Sequence, residues 1–178
     1  MEQLGQPLVN QITEELNGSK SDRGTAILGS SLVEELLRAL LLKVAVPNKD
    51  FKLFIDRSPA SNLLAIAYSF GFLPNELRHD IKLIFKIRNK FAHSWNLLSF
   101  DTPPISNIIP NLIAPKKFGK IRGNPVLVNN GQFAKTLADV ENRMQFIATV
   151  IATSTSLEHI QNEIVSFVPS ERFYVAPK

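Results

Sequence analysis

The chain has 178 residues, of which 44% are hydrophobic, so it can bury the core of one domain and is too apolar to be disordered. It contains no cysteine, which excludes disulfides, thiolate zinc sites and a cysteine nucleophile. No apolar run approaches the roughly 20 residues of a membrane-spanning helix, and the first residues do not resemble a secretory signal. We therefore expect a cytoplasmic protein with no membrane segment.

The net charge of +4 is unevenly distributed along the chain. Residues 81 to 135 carry nine basic residues and one acid, a net +8, and the remainder carries −4. Such segregation favours RNA or another polyanion as a partner, although acidic neighbours in space could equally balance a solvated basic loop. The candidate nucleic-acid-binding residues are Lys86, Lys90, Lys116, Lys117, Lys120 and Arg122.

The 3.6-residue pattern of apolar residues predicts an all-α bundle of about five helices in a single domain, residues 1–178. A first helix, within residues 1–20, ends at Asn17-Gly18. The core helices, within residues 21–98, begin with one that Ser21 or Asp22 caps and that continues to about Val46. Residues 48–58 are predicted to be a loop, and a third helix occupies residues 59–70.

The fourth helix begins at Pro74-Asn75-Glu76 and continues to about Trp95. Five prolines between residues 99 and 131 exclude long helices there and predict a proline-rich basic loop or insertion. Residues 132–168 contain neither proline nor glycine, and their apolar residues recur with helical spacing, which predicts a long C-terminal helix. A peripheral tail, residues 169–178, follows.

The fourth helix has a charged residue where its pattern predicts an apolar one. Its apolar stripe consists of Leu77, Ile81, Ile84, Arg88, Phe91 and Trp95. The second helix has the opposite anomaly, since Glu35 lies in a seam with Leu28, Leu32, Ala39, Leu42 and Val46. A buried guanidinium is unfavourable unless it is paired. We therefore predict an ion pair between Arg88 and Glu35 or its neighbour Glu34, with a structural or a catalytic role.

A lone histidine near the end of this helix is the other candidate. Asn89 and His93 are four residues apart and share one helix face, whereas Arg88 and His93 lie about 140° apart around the axis. A site shared across a homodimer would be the more natural way to bring Arg88 and His93 together. We interpret Arg78-His79-Asp80 as a solvated face. Trp95 could stack on a base, but its position in the stripe favours a place in the core.

The segment Phe85-Lys86-Ile87-Arg88-Asn89-Lys90-Phe91-Ala92-His93-Ser94-Trp95 resembles the signature of HEPN domains, in which an arginine and a polar residue precede a histidine. Other blocks resemble the narrower mannitol operon repressor (MltR) family over residues 22 to 112. These blocks are Gly24-Thr25-Ala26-Ile27-Leu28, Glu34-Glu35-Leu36-Leu37, residues 63–71, residues 87–94 and Ser99-Phe100-Asp101.

The resemblance implies two functions. Active HEPN proteins are metal-independent endoribonucleases that dimerise around two motifs, often in toxin or defence systems. This would make His93 the general acid or base and Arg88 the stabiliser of the charge on the scissile phosphate. Asn89 would orient the phosphate or the histidine, and Glu34, Glu35 and Trp95 would have supporting roles. Such an enzyme needs no cofactor and no metal, and an antitoxin is a conceivable partner. The alternative is a noncatalytic MltR-family transcriptional regulator that acts through contacts with a regulatory protein.

Overall fold

The computed structural model describes residues 14–16, 18–95, 97–117 and 141–164. Every regular element within these ranges is a helix and none is a strand, so the prediction of an all-α bundle is confirmed. The elements are α1 (Asp22–Val44), α2 (Lys49–Arg57), α3 (Ala60–Ser69), α4 (Asn75–His93), α5 (Pro103–Ser106), a 3-10 turn (Ile109–Asn111), α6 (Ala114–Lys117) and α7 (Asn142–Glu163). Of the predicted first helix only the end is described, where residues 14–16 are helical.

The two longest helices, α1 and α7, run side by side in the same direction. Near their first turns Arg143 pairs with Asp22 at 3.2 Å, and near their last turns Lys43 donates to the carbonyl of Gln161. Gly29 lies where the helices meet, and a Cβ there would be 3.0 Å from Val150 Cγ2. Glycine at this position therefore permits the close approach of α1 to α7.

Helix α1 begins as predicted, because the Ser21 hydroxyl accepts a hydrogen bond from the Gly24 N–H at 3.1 Å. Its buried face differs from the predicted seam. The buried apolar residues are Ala26, Val33, Leu36, Leu37, Leu40 and Leu41. The predicted seam lies at the edge of that face, and the side chain of Glu35 is 69% exposed. The seam prediction was wrong because many leucines on α1 allow more than one apolar stripe.

The predicted loop at residues 48–58 is wrong, since most of it forms α2. Asn48 caps this helix by accepting the Asp50 N–H at 2.7 Å. The sequence of α2 does carry an apolar stripe, Phe51, Phe54 and Ile55, of which only Ile55 is buried; the prediction missed it because a helix of nine residues gives only a short periodic pattern. The Ser58 hydroxyl donates to the Phe54 carbonyl and does not cap α3, which begins after Pro59.

Helix α4 lies inside the bundle, against α1, α3 and α7. Ile81, Ile84, Ile87 and Phe91 are fully buried. The chain turns between α3 and α4 at Gly71, whose φ of +76° favours glycine. Helix α4 ends at His93, two residues before the predicted end. Because α4 packs against its neighbours on one side only, it has a buried face and an exposed face.

The remaining elements follow the predicted pattern in part. Between residues 99 and 117 only short helical turns occur, which confirms the effect of the prolines there. Helix α7 begins at Asn142 and ends at Glu163, so it does not run unbroken over residues 132–168. Residues 132–140, 165–168 and the tail lie outside the described residues. No helix in the described ranges is long and apolar enough to cross a membrane.

Candidate functional site

The exposed face of α4 carries a row of cations four residues apart. We call this row, which consists of Arg78, Lys82, Lys86 and Lys90, the basic ridge; all four residues are exposed. At the helical rise the cations follow one another about every 6 Å along roughly 18 Å of the helix. The guanidinium of Arg78 stacks 4.2 Å from the centroid of the Tyr68 ring. The lysines form no ion pair with any described residue.

Two grooves flank the basic ridge. The larger, about 1000 Å³, lies between α4, α3 and the segment after α4, and we call it the motif groove because Asn89 and His93 both line it. The smaller, about 480 Å³, lies between α4 and the residues from Pro103 to Asn111. Among described residues, no acidic side chain lines either groove. This face therefore has an uncompensated positive charge.

Arg88 faces the other way. Its Nη2 lies 3.5 Å from Glu34 Oε2, so the predicted ion pair between the two helices is confirmed with Glu34 as the partner. Glu35 is not part of it, since its side chain is exposed and lies 3.6 Å from Arg38. Arg88 is only half-buried, with 32% of its side chain exposed. Its buried Nε has no acceptor among the residues that the structure describes.

The ion pair belongs to a small network that joins three helices. Glu34 also accepts from Arg38 Nη2 at 3.2 Å, and Arg38 Nη1 donates to the Ile55 carbonyl of α2 at 3.2 Å. Arg88 does not line the motif groove with His93. Within one copy of the chain, the structure thus brings together Asn89, His93, Lys86 and Lys90, and directs Arg88 towards α1.

Trp95 differs most from its expected place. It follows the end of α4 and its side chain is fully exposed, at 102% of the reference area, whereas Phe91 one turn earlier is fully buried. The apolar stripe fails here because Ser94 is already extended, with ψ of 128°. Arg23 fixes this turn by donating to the Ser94 carbonyl at 2.7 Å. Trp95 therefore follows the last lysine of the basic ridge by five residues and lines neither groove.

The other predicted nucleic-acid-binding residues do not join this face. Lys116 donates to the Pro110 carbonyl, and Lys117 pairs with Glu76. Neither of them lines the motif groove. Lys120 and Arg122 lie outside the described residues.

Asp80 is a residue whose importance the sequence interpretation missed. It is 4% exposed, and its two carboxylate oxygens accept the N–H groups of Ile113 and Ala114, each at 2.8 Å. The neighbouring His79 is exposed and bonds to the Asn111 carbonyl at 3.1 Å. The prediction of a solvated Arg78-His79-Asp80 face was therefore wrong at Asp80. Its spacing from Ile84, Ile87 and Phe91 could have revealed the buried position.

A second surface feature is an apolar groove of about 460 Å³ at the opposite ends of α1 and α3 from Trp95. It is lined by Leu41, Val44, Ala45, Val46, Phe51, Ile66, Phe70 and Phe72. Phe70 is 71% exposed, and nearby Phe54 is 53% exposed. Exposed aromatic side chains of this size are uncommon on a monomer surface. The basic ridge and the apolar groove are thus chemically opposite surfaces of the same bundle.

Comparisons with known proteins support the fold. The sequence matches no family model and no curated protein. Among solved structures, the chain is similar to one described as the X-ray structure of the MtlR–HPr complex from Escherichia coli, with a TM-score of 0.62 and 16% sequence identity. The match covers 86% of this chain and 99% of that chain. The chain therefore has an MtlR-like helical fold.

Proposed function

We propose that this protein is a noncatalytic regulator of the mannitol-repressor type, which acts in the cytoplasm by binding another protein. The observation that carries the proposal is the fold, which is similar to that of MtlR in a structure where MtlR is bound to HPr. By analogy, the partner of this chain would be a protein that corresponds to HPr.

The surroundings of Arg88 are consistent with this function. Its guanidinium is engaged by Glu34 between two helices, a position in which an ion pair can fix how the helices align. A regulator needs Arg88 for its structure only, and it needs no proton transfer by His93. Substitution of His93 would then leave the function of the protein unchanged.

The experiment is a calorimetric titration of the purified chain with HPr from the organism that encodes it, with RNA cleavage measured in parallel. We expect a saturable complex, equal affinity for the His93→Ala variant, and intact RNA. If HPr neither produces binding heat nor co-elutes with the chain, the proposal is rejected.

A metal-independent endoribonuclease of the HEPN type, in a toxin or defence setting, is the second candidate. It is favoured by the position of Asn89 and His93 in an open groove beside Lys86 and Lys90. Histidine can transfer protons near neutral pH, and the ribose 2′-hydroxyl would be the nucleophile. Because Arg88 is directed towards α1, this mechanism requires a homodimer in which a second copy brings its own motif to the groove.

The ribonuclease is tested by incubating a structured RNA with the chain in the presence of a chelator, and by measuring the molar mass with light scattering. The candidate predicts a dimer and cleavage that falls at least about 100-fold in the His93→Ala variant. His159→Ala, on the exposed side of α7, is the matched control. Cleavage that persists in the His93→Ala variant would eliminate this candidate.

A further inference from the structure

The basic ridge has three properties that the proposed regulator does not require. Its cations are evenly spaced along one helix, its lysines have no acidic partner among described residues, and a fully exposed tryptophan, Trp95, follows Lys90 by five residues. We propose that the basic ridge and Trp95 together bind a single-stranded polynucleotide, with the phosphates along the ridge and one base stacked on the indole.

The charges support a linear polyanion. The lysines of the ridge are exposed, so they can exchange counterions with a phosphate chain, which carries one negative charge in each repeat. The row is one helix wide and about 18 Å long. A standard protein interface covers about 800 Å² on each partner, so a narrow row suits a strand better than the acidic surface of a protein.

The indole supports a single strand over a duplex. Tryptophan is largely buried in most proteins, but Trp95 is fully exposed five residues after Lys90. An aromatic side chain can stack on any unpaired base, because every base has a π-face. In a duplex the bases are stacked on each other, and Trp95 would have no partner.

The experiment uses Trp95 as its own probe, because it is the single tryptophan of the chain. The full-length protein is titrated with a twelve-residue oligo(dT) and with oligo(U), and the quenching of tryptophan fluorescence is followed at several salt concentrations. We expect saturable quenching, with a logarithmic salt dependence of about −3 for four phosphates. Since DNA has no 2′-hydroxyl, the protein cannot cleave oligo(dT) as a ribonuclease, and binding of oligo(dT) is therefore measured separately from that activity. Tighter binding of oligo(dT) or of oligo(U) identifies DNA or RNA as the natural ligand.

Two variants locate the site. Lys82→Glu/Lys86→Glu should weaken binding at least about tenfold, and Lys49→Glu/Lys52→Glu on α2, with the same change in net charge, should not. Trp95→Ala should weaken binding of a fluorescein-labelled strand roughly tenfold, and Trp95→Phe should restore most of the loss. Unchanged thermal melting of each variant shows that folding is intact.

Three results would overturn the proposal. The first is the absence of any binding at low salt, and the second is equal binding of the wild type and the Lys82→Glu/Lys86→Glu variant. The third is tighter binding of polyglutamate or of a DNA duplex than of either single strand, which would identify an acidic protein or duplex as the ligand. None of these results depends on whether HPr binds.

Discussion

The nineteen residues of α4 form an inner and an outer face, and these two faces have different physical roles. The inner face is occupied by isoleucine, phenylalanine and two charged residues, Asp80 and Arg88, whose charges are met by other elements. The outer face has cations that no described acid balances. The comparison teaches that position around the axis, and not the type of residue, separates structural charges from charges available to a ligand.

The largest expected difference between the faces is in stability. Phe91→Ala should lower the free energy of unfolding by about 3–5 kcal/mol, because it leaves a cavity beside the Phe100 ring, which in turn packs on Phe146. The control is Lys82→Ala on the outer face, which should change the free energy of unfolding by less than about 0.5 kcal/mol. Urea denaturation measures the stability of both variants. Similar losses in both would show that the faces are not distinct.

The next effect concerns the buried carboxylate. Asp80→Ala should cost about 1–3 kcal/mol, because the N–H groups of Ile113 and Ala114 lose their acceptors. Hydrogen exchange of those two amides should accelerate in the variant. Glu163→Ala, at the exposed end of α7, removes the same charge away from this segment and is the control. Unchanged protection of both amides would contradict the role given to Asp80.

A smaller effect is expected for the ion pair of the inner face. In a double-mutant cycle with Glu34→Gln and Arg88→Met, the coupling energy should be favourable but small, about 0.2–1 kcal/mol, because both side chains are partly hydrated. The same variants should leave binding to the basic ridge unchanged. A coupling of zero would mean that Arg88 is held by packing alone.

The smallest effect is a dependence on pH that arises outside α4. Burial raises the pKa of Glu158 on α7, and its Oε1 has no hydrogen-bond partner in the described structure. The folded state therefore binds the proton more tightly than the unfolded state, and stability falls as pH rises through the raised pKa. Glu158→Gln should melt higher than the wild type at neutral pH, and the difference should vanish below about pH 4.

Thermal melting over this pH range is the measurement, and Glu163→Gln at the end of α7 controls for the loss of one negative charge. A Glu158→Gln variant that melts at the wild-type temperature at every pH would show that the carboxylate is hydrated in solution.

Much of the fold could be predicted from the sequence, because apolar stripes reveal α1, α3 and α4, and capping residues, prolines and glycine mark where these helices begin and end. Helix α2 was missed although Phe51, Phe54 and Ile55 recur at helical spacing, because nine residues give only a short pattern. For the site, the partner of Arg88 was predicted to within one residue. The exposure of Trp95 was not, because it depends on where α4 ends, and the extended backbone of Ser94 decides that.

The missing side chain at Gly29 sets the distance between the axes of α1 and α7. An added methyl group would have to push Val150 away, and a rigid helix transmits such a shift along its length. Glu34 is five residues further along α1, so the same displacement would move its carboxylate relative to Arg88. We therefore expect the close packing of α1 on α7 at Gly29 to influence the ion pair between Glu34 and Arg88.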